Sequence, residues 1–111
     1  MAVTSTQSKA PASVNNVAHG RYLDTGTAAA FDITCGFKPR YVKVVNHNAS
    51  GLVMIEWFEG MADAAGVKTA SNGDRTELTT LGITPLSYGF TVGLDTDLNV
   101  SNEQLSWQAI G

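Results

Sequence analysis

Apolar and polar side chains alternate along much of the chain, with the two-residue period that is typical of half-buried β-strands. Residues 31–35, 89–93 and 104–110 are clear examples. Glycine, asparagine and proline lie between these segments, where they favour turns. The pattern predicts strands at residues 21–24, 31–35, 40–46, 52–58, 75–79, 89–93 and 104–110.

The strongest strand signals are at Arg40–Asn46 and Leu52–Phe58, which are rich in β-branched and aromatic residues. The polar segment His47–Gly51 between them has the length of a hairpin loop, so we expect the two strands to pair. Val42 and Val44 should face the core. The second strand is largely apolar on both faces, which is typical of a central strand that is covered on both sides.

Two segments lack the alternation. Residues 59–74 are interrupted by glycines and predict a long loop, and residues 95–102 predict a turn-rich link. Short strands at intervals of roughly 8–12 residues predict an all-β fold, an antiparallel β-sandwich or jelly roll. Residues 1–13 are small, polar and aperiodic, so they predict an extended N-terminal arm. Residues 14–111 should then form a single β-sandwich domain.

Charged residues make up only 15% of the chain, against about 25% in typical soluble domains. Such a composition suits a rigid β surface, or a surface that neighbouring subunits partly cover. The net charge is −3 and the seven Lys and Arg residues form no run, which argues against direct nucleic-acid binding. No apolar run is long enough to span a bilayer. The first residues lack the apolar core of a signal peptide, so we expect synthesis in a cytoplasm without secretion.

One segment is similar to the start of a calcium-binding loop. Asp95, Asp97 and Asn99 have the spacing of the first calcium ligands. However, Val100 replaces the required glycine and Ser106 replaces the final glutamate. An Asx-rich turn is the better interpretation, so no metal or other cofactor is expected. An irregular calcium site that includes Glu103 stays open as an alternative.

Candidate catalytic groups are isolated in the sequence. Cys35 has no evident neighbouring base and fits a buried small side chain. His19 and His47 lie in turn-like segments without further metal ligands at a suitable spacing. Glu56 and Glu59 could be read as paired acids of a glycosidase, but such residues near a strand end commonly face solvent. The sequence therefore indicates a protein that is not an enzyme.

Five aromatic residues could instead bind sugars by stacking: Tyr41, Trp57, Phe58, Tyr88 and Trp107. Trp57 and Trp107 lie in apolar strands, so packing in the core is favoured for both. Tyr88 lies between Ser87 and Gly89 in a turn and is the aromatic residue we expect to be most exposed.

Several segments together are similar to one group of proteins. They are Gly36–Asn46, Glu56–Met61, Ile83–Pro85, Gly89–Gly93, the residues Asp95, Asp97 and Asn99, and Trp107–Gly111. In these segments the chain resembles small bacteriophage virion proteins of the head-decoration (cement) type, and also modules of tail fibres. The resemblance implies a β-sandwich with a structural role in the particle. It carries no catalytic residue.

The resemblance implies a capsid decoration protein that binds the outer surface of the head and stabilises the shell. Its partner would be the major capsid protein, and it would be a homo-oligomer, a trimer or a dimer, because binding sites on a capsid lie on or near symmetry axes. The expected contact residues are Ala2, Val3, Ser5, Gln7, Lys9, Pro11 and Val14 in the arm and His47, Asn48, Met61, Asp63 and Tyr88 in loops.

Two alternatives remain open at the level of the sequence. The chain could be a receptor-binding or carbohydrate-binding module of a phage tail fibre or spike, which predicts exposed aromatic residues. It could also be a small β-sandwich lectin that is unrelated to phages.

Overall fold

The computed structural model describes residues 16–23, 25–48 and 52–111, and these residues contain strands and turns but no helix. The predicted all-β class is therefore confirmed. The predicted arm at residues 1–13 lies outside the described residues. The strands are β1 (Val17–Leu23), β2 (Phe31–Thr34), β3 (Tyr41–Asn46), β4 (Met54–Phe58), β5 (Ala65–Thr69), β6 (Arg75–Leu86), β7 (Gly89–Val92) and β8 (Gln104–Ile110).

All eight strands join one antiparallel sheet in the order β1-β8-β3-β4-β5-β6-β7-β2. The predicted β3–β4 hairpin is confirmed, with Val44 opposite Ile55. Strands β1 and β2 are at opposite ends of the strand order, yet Tyr22 of β1 and Phe31 of β2 stack with ring centroids 3.6 Å apart. This contact shows that the sheet is curled.

Strand β6 changes its pairing partner along its length, and we call the point of change the corner. The first part of this strand pairs with β5, as in Gly66 opposite Leu78, and the last part pairs with β7. Ala65 lies opposite Ile83, so the register shifts between Ala65 and Gly66. Gly82 fits this corner because a Cβ atom there would lie only 2.1 Å from the carbonyl oxygen of Ala65. The corner thus requires a residue without a side chain.

The core lies between the two halves of the curled sheet. Val42 and Val44 face inward, as predicted, and so do Ile55 and Trp57 of β4. The other half contributes the fully buried Phe90, whose ring meets that of Trp107 edge-on at 5.4 Å. Further core residues are Val53, Ile83, Val92, Leu98, Leu105 and Ala109. Burial of a large apolar side chain contributes roughly 1.5–3 kcal/mol to folding.

The structure corrects three sequence predictions in part. The first strand is longer than residues 21–24, because β1 pairs with β8 from Val17 to Leu23, and His19 is in this strand and not in a turn. The predicted loop at 59–74 contains β5, whose Lys68 lies opposite Ile55. The polar strand predicted at 75–79 continues through β6 as far as Leu86, and so includes Pro85.

Pro85 is compatible with a strand at this position. Ser87 and Tyr88 form a two-residue turn, so Leu86 and Gly89 make the hydrogen-bonded pair that closes the hairpin. The next pair, Pro85 with Phe90, is then a non-hydrogen-bonded pair. The missing N–H of Pro85 therefore costs no bond with β7.

Candidate interaction surface

Four adjacent strands place apolar side chains side by side on the outer face of the sheet. Val17 of β1 lies opposite Ile110 of β8, Ile110 lies opposite Tyr41 of β3, and Tyr41 lies opposite Phe58 of β4. Val17, Ile110 and Phe58 are 53%, 40% and 48% exposed. With strands about 4.8 Å apart, this outer apolar row is about 14 Å long. Because large contiguous apolar patches mark interaction surfaces, this row is a candidate interaction surface.

The local structure of the row follows from the alternation of side chains in strands. Because Val42 and Trp57 face the core, their neighbours Tyr41 and Phe58 must face outward. The ring centroids of Tyr41 and Phe58 lie 5.2 Å apart, and the interplanar angle is 58°. Aromatic pairs favour tilted arrangements at such distances. The two rings thus form a firm apolar surface on neighbouring strands.

A polar row borders the outer apolar row on the same face. It consists of His19, Gln108, Lys43 and Glu56. The hydroxyl of Tyr41 reaches across to this row and donates a 2.6 Å hydrogen bond to Oε2 of Glu56. Partial burial raises the pKa of Tyr41 well above its usual value, and the hydrogen bond to Glu56 and its negative charge raise it further. Tyr41 therefore stays neutral and is held in one orientation.

One end of the sheet combines this row with some of the predicted contact residues. We call it the Phe58 end, since β4 ends there at Phe58. Met61 and Asp63 follow β4 directly. The carbonyl oxygen of Tyr88 accepts hydrogen bonds from the N–H groups of Cys35 and Gly36, and the nearby ring of Phe37 lies against Gly111, which follows Ile110. Tyr88 is 69% exposed, as expected from its turn. Residue Asn16, from which the predicted arm would extend, precedes Val17 at this end.

The other predicted contact residues do not join this end. His47 and Asn48 follow Asn46 at the opposite end of β3. His47 is exposed, whereas the N–H of Asn48 donates a 2.8 Å hydrogen bond to Oδ1 of Asn46. The predicted contacts Ala2, Val3, Ser5, Gln7, Lys9, Pro11 and Val14 lie outside the described residues.

Met61 has a second role beside Phe58. It is half-buried against the core, and its Sδ atom lies 3.3 Å from the backbone nitrogen of Phe58. Its own N–H donates to the carbonyl oxygen of Phe58 at 3.0 Å. Met61 therefore supports the turn that follows Phe58.

The segment that is similar to a calcium loop holds a lysine side chain. Nζ of Lys68 lies 3.0 Å from Oδ1 of Asp95 and 2.7 Å from Oδ2 of Asp97. Burial lowers the pKa of Lys68, but its hydrogen bonds to Asp97 and Asp95 and their charges outweigh this effect and raise it. Oδ1 of Asp95 also accepts hydrogen bonds from the N–H groups of Asp97 and Leu98. These two hydrogen bonds form the predicted Asx turn.

Buried amides fix the rest of this loop. The amide of Asn46 donates to the carbonyl oxygens of Asp97 and Leu98 and to Glu103, at 3.0–3.2 Å. The amide of Asn99 donates to the carbonyl oxygens of Ala29 and Gly93. An open pocket of about 310 Å³ lies beside this loop. Its lining residues are Val53, Ala70, Ser71, Thr96, Asp97, Val100 and Glu103.

The remaining candidate groups have structural partners. Glu56 accepts the hydrogen bond from Tyr41, and Glu59 forms an exposed ion pair with Arg40 at 3.8 Å. The thiol of Cys35 is half-buried and donates to the carbonyl oxygen of Phe37. Within the described ranges, no three His, Cys, Asp or Glu residues lie close enough to hold a metal ion, and no helix could span a membrane.

The outer apolar row could not be derived from the sequence. Alternation shows that Tyr41 and Phe58 leave the core face, but only the register between strands aligns them with Val17 and Ile110. A signal was present in Ile110 and Val17, which are apolar at positions where alternation places the solvent-facing side chains.

No family model matches the chain, and no curated protein or solved structure is significantly similar to it.

Proposed function

We propose that this protein is a bacteriophage capsid decoration protein that binds the outer surface of the head through the Phe58 end of its sheet and stabilises the shell. The observation that carries the proposal is the outer apolar row of Val17, Ile110, Tyr41 and Phe58. The partner that binds this row would be the major capsid protein. In this proposal the chain is made in the cytoplasm of the host bacterium, has no catalytic activity, and is located on the virion.

Besides the outer apolar row, the shape of the molecule and its small number of charged residues support binding to a capsid shell. The molecule measures 44 × 36 × 20 Å, so it is flat. We propose that the halves of the curled sheet form a two-layer sandwich of the jelly-roll type, since stacked sheets lie about 10 Å apart. A flat body with few charged residues could lie against a protein shell without burying many unpaired charges.

The proposed contacts are of two kinds. The outer apolar row supplies the apolar centre, and Met61, Asp63 and Tyr88 supply the edge of the contact at the same end. His47 and Asn48 lie at the opposite end, so they would meet a neighbouring subunit or remain exposed. Many copies that each bind modestly would together hold the shell by multivalent attachment.

The test uses phage heads that lack this protein, prepared from the phage that encodes it, and measures how many copies of added protein they bind. The double variant Ile110→Thr/Phe58→Thr should lower the apparent affinity at least tenfold, because it removes two apolar contacts of the row. Both positions are exposed, so the fold should be retained. Leu94→Thr is the matched control, since Leu94 is 39% exposed, like Ile110, but lies outside the row.

The proposal also requires that wild-type protein occupies hundreds of sites on the head. Equal binding by the double variant and by Leu94→Thr would contradict the assignment of the row. Labelled protein found only at the tail tip, in one to a few copies, would contradict a role on the head.

The exposed ring of Tyr88 favours the second candidate, a receptor-binding or carbohydrate-binding module of a tail fibre or spike. An aromatic side chain in an exposed turn can stack on the apolar face of a sugar. The position of the label on the particle separates the two functions, because this candidate predicts the tail tip.

A further inference from the structure

Strand β1 is at an edge of the sheet. Its seven residues pair with β8 on one side, and no other described strand pairs with its second side. An edge of this length offers a row of backbone donors and acceptors to another strand. Its sequence, Val-Ala-His-Gly-Arg-Tyr-Leu, contains no proline or lysine that would discourage pairing.

The direction of these backbone groups follows from one hydrogen bond. The N–H of Gly111 donates to the carbonyl oxygen of Asn16 at 2.8 Å, so these two residues form a hydrogen-bonded pair of the antiparallel ladder. Hydrogen-bonded pairs recur at every second residue. The even-numbered residues of β1 therefore form their backbone hydrogen bonds with strand β8. The N–H and C=O groups of Val17, His19, Arg21 and Leu23 therefore point to the free edge.

The side chains of β1 make this edge self-complementary. Val17 and Leu23 are its two exposed apolar residues, at 53% and 56%, and they lie symmetrically about Gly20. If β1 pairs antiparallel with β1 of a second copy about a two-fold axis at Gly20, Val17 lies opposite Leu23 of the second copy, and His19 lies opposite Arg21. Shifting the register by two residues in either direction shortens the ladder and separates Val17 from Leu23.

We propose that this protein forms a two-fold dimer in which the β1 strands of two copies pair about Gly20 and join the two sheets. In this register, Val17 pairs with Leu23 and His19 pairs with Arg21, and both are hydrogen-bonded pairs. These are the four residues whose backbone groups point to the free edge. Gly20 has no side chain at the axis. The proposal does not depend on a role in a phage particle.

The dimer would change the surface that the molecule presents. Both outer faces would be on the same side of the joined sheet, and the apolar row of each copy would continue from Val17 to Leu23 of the other copy. Since residues 17 and 23 are six positions apart, the two rows would be offset by roughly 20 Å along the strands.

The test compares two charge variants by analytical ultracentrifugation of the full chain. Val17→Lys/Leu23→Lys places two ammonium groups opposite each other in the dimer, so we expect a monomer and at least a tenfold weaker association. Val17→Glu/Leu23→Lys removes the same apolar area but places opposite charges across the axis. We therefore expect it to recover at least part of the association.

His19→Pro is a third variant that does not depend on side-chain charge. It deletes an N–H that points to the free edge and leaves the bonds between β1 and β8 intact, so it should also yield a monomer. Thermal unfolding verifies that each variant is folded, and the two charge variants decide the matter if the proline variant does not fold.

Wild-type protein should sediment as a dimer, at twice the chain mass of 11.7 kDa. A wild-type monomer up to about 1 mM would overturn the proposal, and would leave the edge for residues 1–15 of the same chain or for another protein. Equal association by folded Lys/Lys and Glu/Lys variants would overturn the register.

Discussion

Lys68 and Asp95 form an ion pair that is largely removed from solvent. The Lys68 side chain is 15% exposed and that of Asp95 is 8% exposed, whereas Asp97 is 61% exposed. The lysine comes from β5 and the two aspartates from the loop after β7, so the pair ties distant parts of the chain together. Removal of one partner of such a pair leaves a poorly solvated charge behind.

We therefore expect Lys68→Met to lower the free energy of unfolding by about 2 kcal/mol, because it leaves Asp95 without its counter-charge. Chemical denaturation at pH 7 measures this loss. Arg40→Met is the control, since it removes a cation from the more exposed pair with Glu59 and should cost less than about 1 kcal/mol. Equal losses in the two variants would contradict this account.

The same prediction has a pH dependence with a definite sign. The pKa of Lys68 is raised in the folded protein above its ordinary value of 10.5. The stabilisation is thus fully present below about pH 10.5 and is lost as the pH rises through the folded pKa. The difference in unfolding free energy between wild type and Lys68→Met should be constant near neutral pH and shrink above about pH 10.5.

At the level of single residues, the sequence predicted positions better than partners. Alternation correctly placed Val42 and Val44 in the core, and the turn between Ser87 and Gly89 correctly placed Tyr88 at the surface. It could not show that a lysine from β5 binds the two aspartates of the calcium-like loop. Such a contact depends on the tertiary structure, which joins residues that are far apart in the sequence.

At the level of elements, β5 was missed for a physical reason. Its first residues, Ala65 and Gly66, are small because neighbouring strands lie close to them. A Cβ atom on Gly66 would be 2.7 Å from Cγ2 of Ile55. Because the fit is tight, small residues stand where a strand would normally alternate apolar and polar side chains. The start of β5 therefore has the composition of a loop.

The corner in β6 gives a prediction at the same scale. Gly82→Ala should lower the free energy of unfolding by roughly 3 kcal/mol or more, because its methyl group would overlap the backbone oxygen of Ala65. A backbone atom cannot move aside as a flexible side chain can. Denaturant titration of the purified variant gives the value.

Gly73→Ala is a matched control for this prediction. Gly73 has a φ of +92°, but a Cβ atom there would have no neighbour within 4 Å. Its substitution should cost only the backbone strain, about 1–2 kcal/mol. A loss for Gly82→Ala that does not exceed the loss for Gly73→Ala would show that the corner tolerates a side chain.

At the level of the whole molecule, the termini of the sheet lie close to its apolar surface. The chain enters β1 at Val17 and leaves β8 at Ile110, and these two residues are neighbours in the outer apolar row. The described chain therefore begins, at Asn16, at the Phe58 end. The thirteen residues of the predicted arm can extend over at most about 45 Å, which is comparable to the longest dimension of the molecule, 44 Å.

If the arm and the outer apolar row bind the same head, the row holds the arm near its own site at a high effective concentration. Deletion of residues 1–13 should then weaken binding to heads by roughly 10-fold to 100-fold, while the unfolding free energy of the sheet changes little. Titration of heads with the truncated and full-length chains measures the first effect, and denaturation measures the second. Unchanged binding would show that the arm makes no contact with the head, and the row alone would then account for attachment.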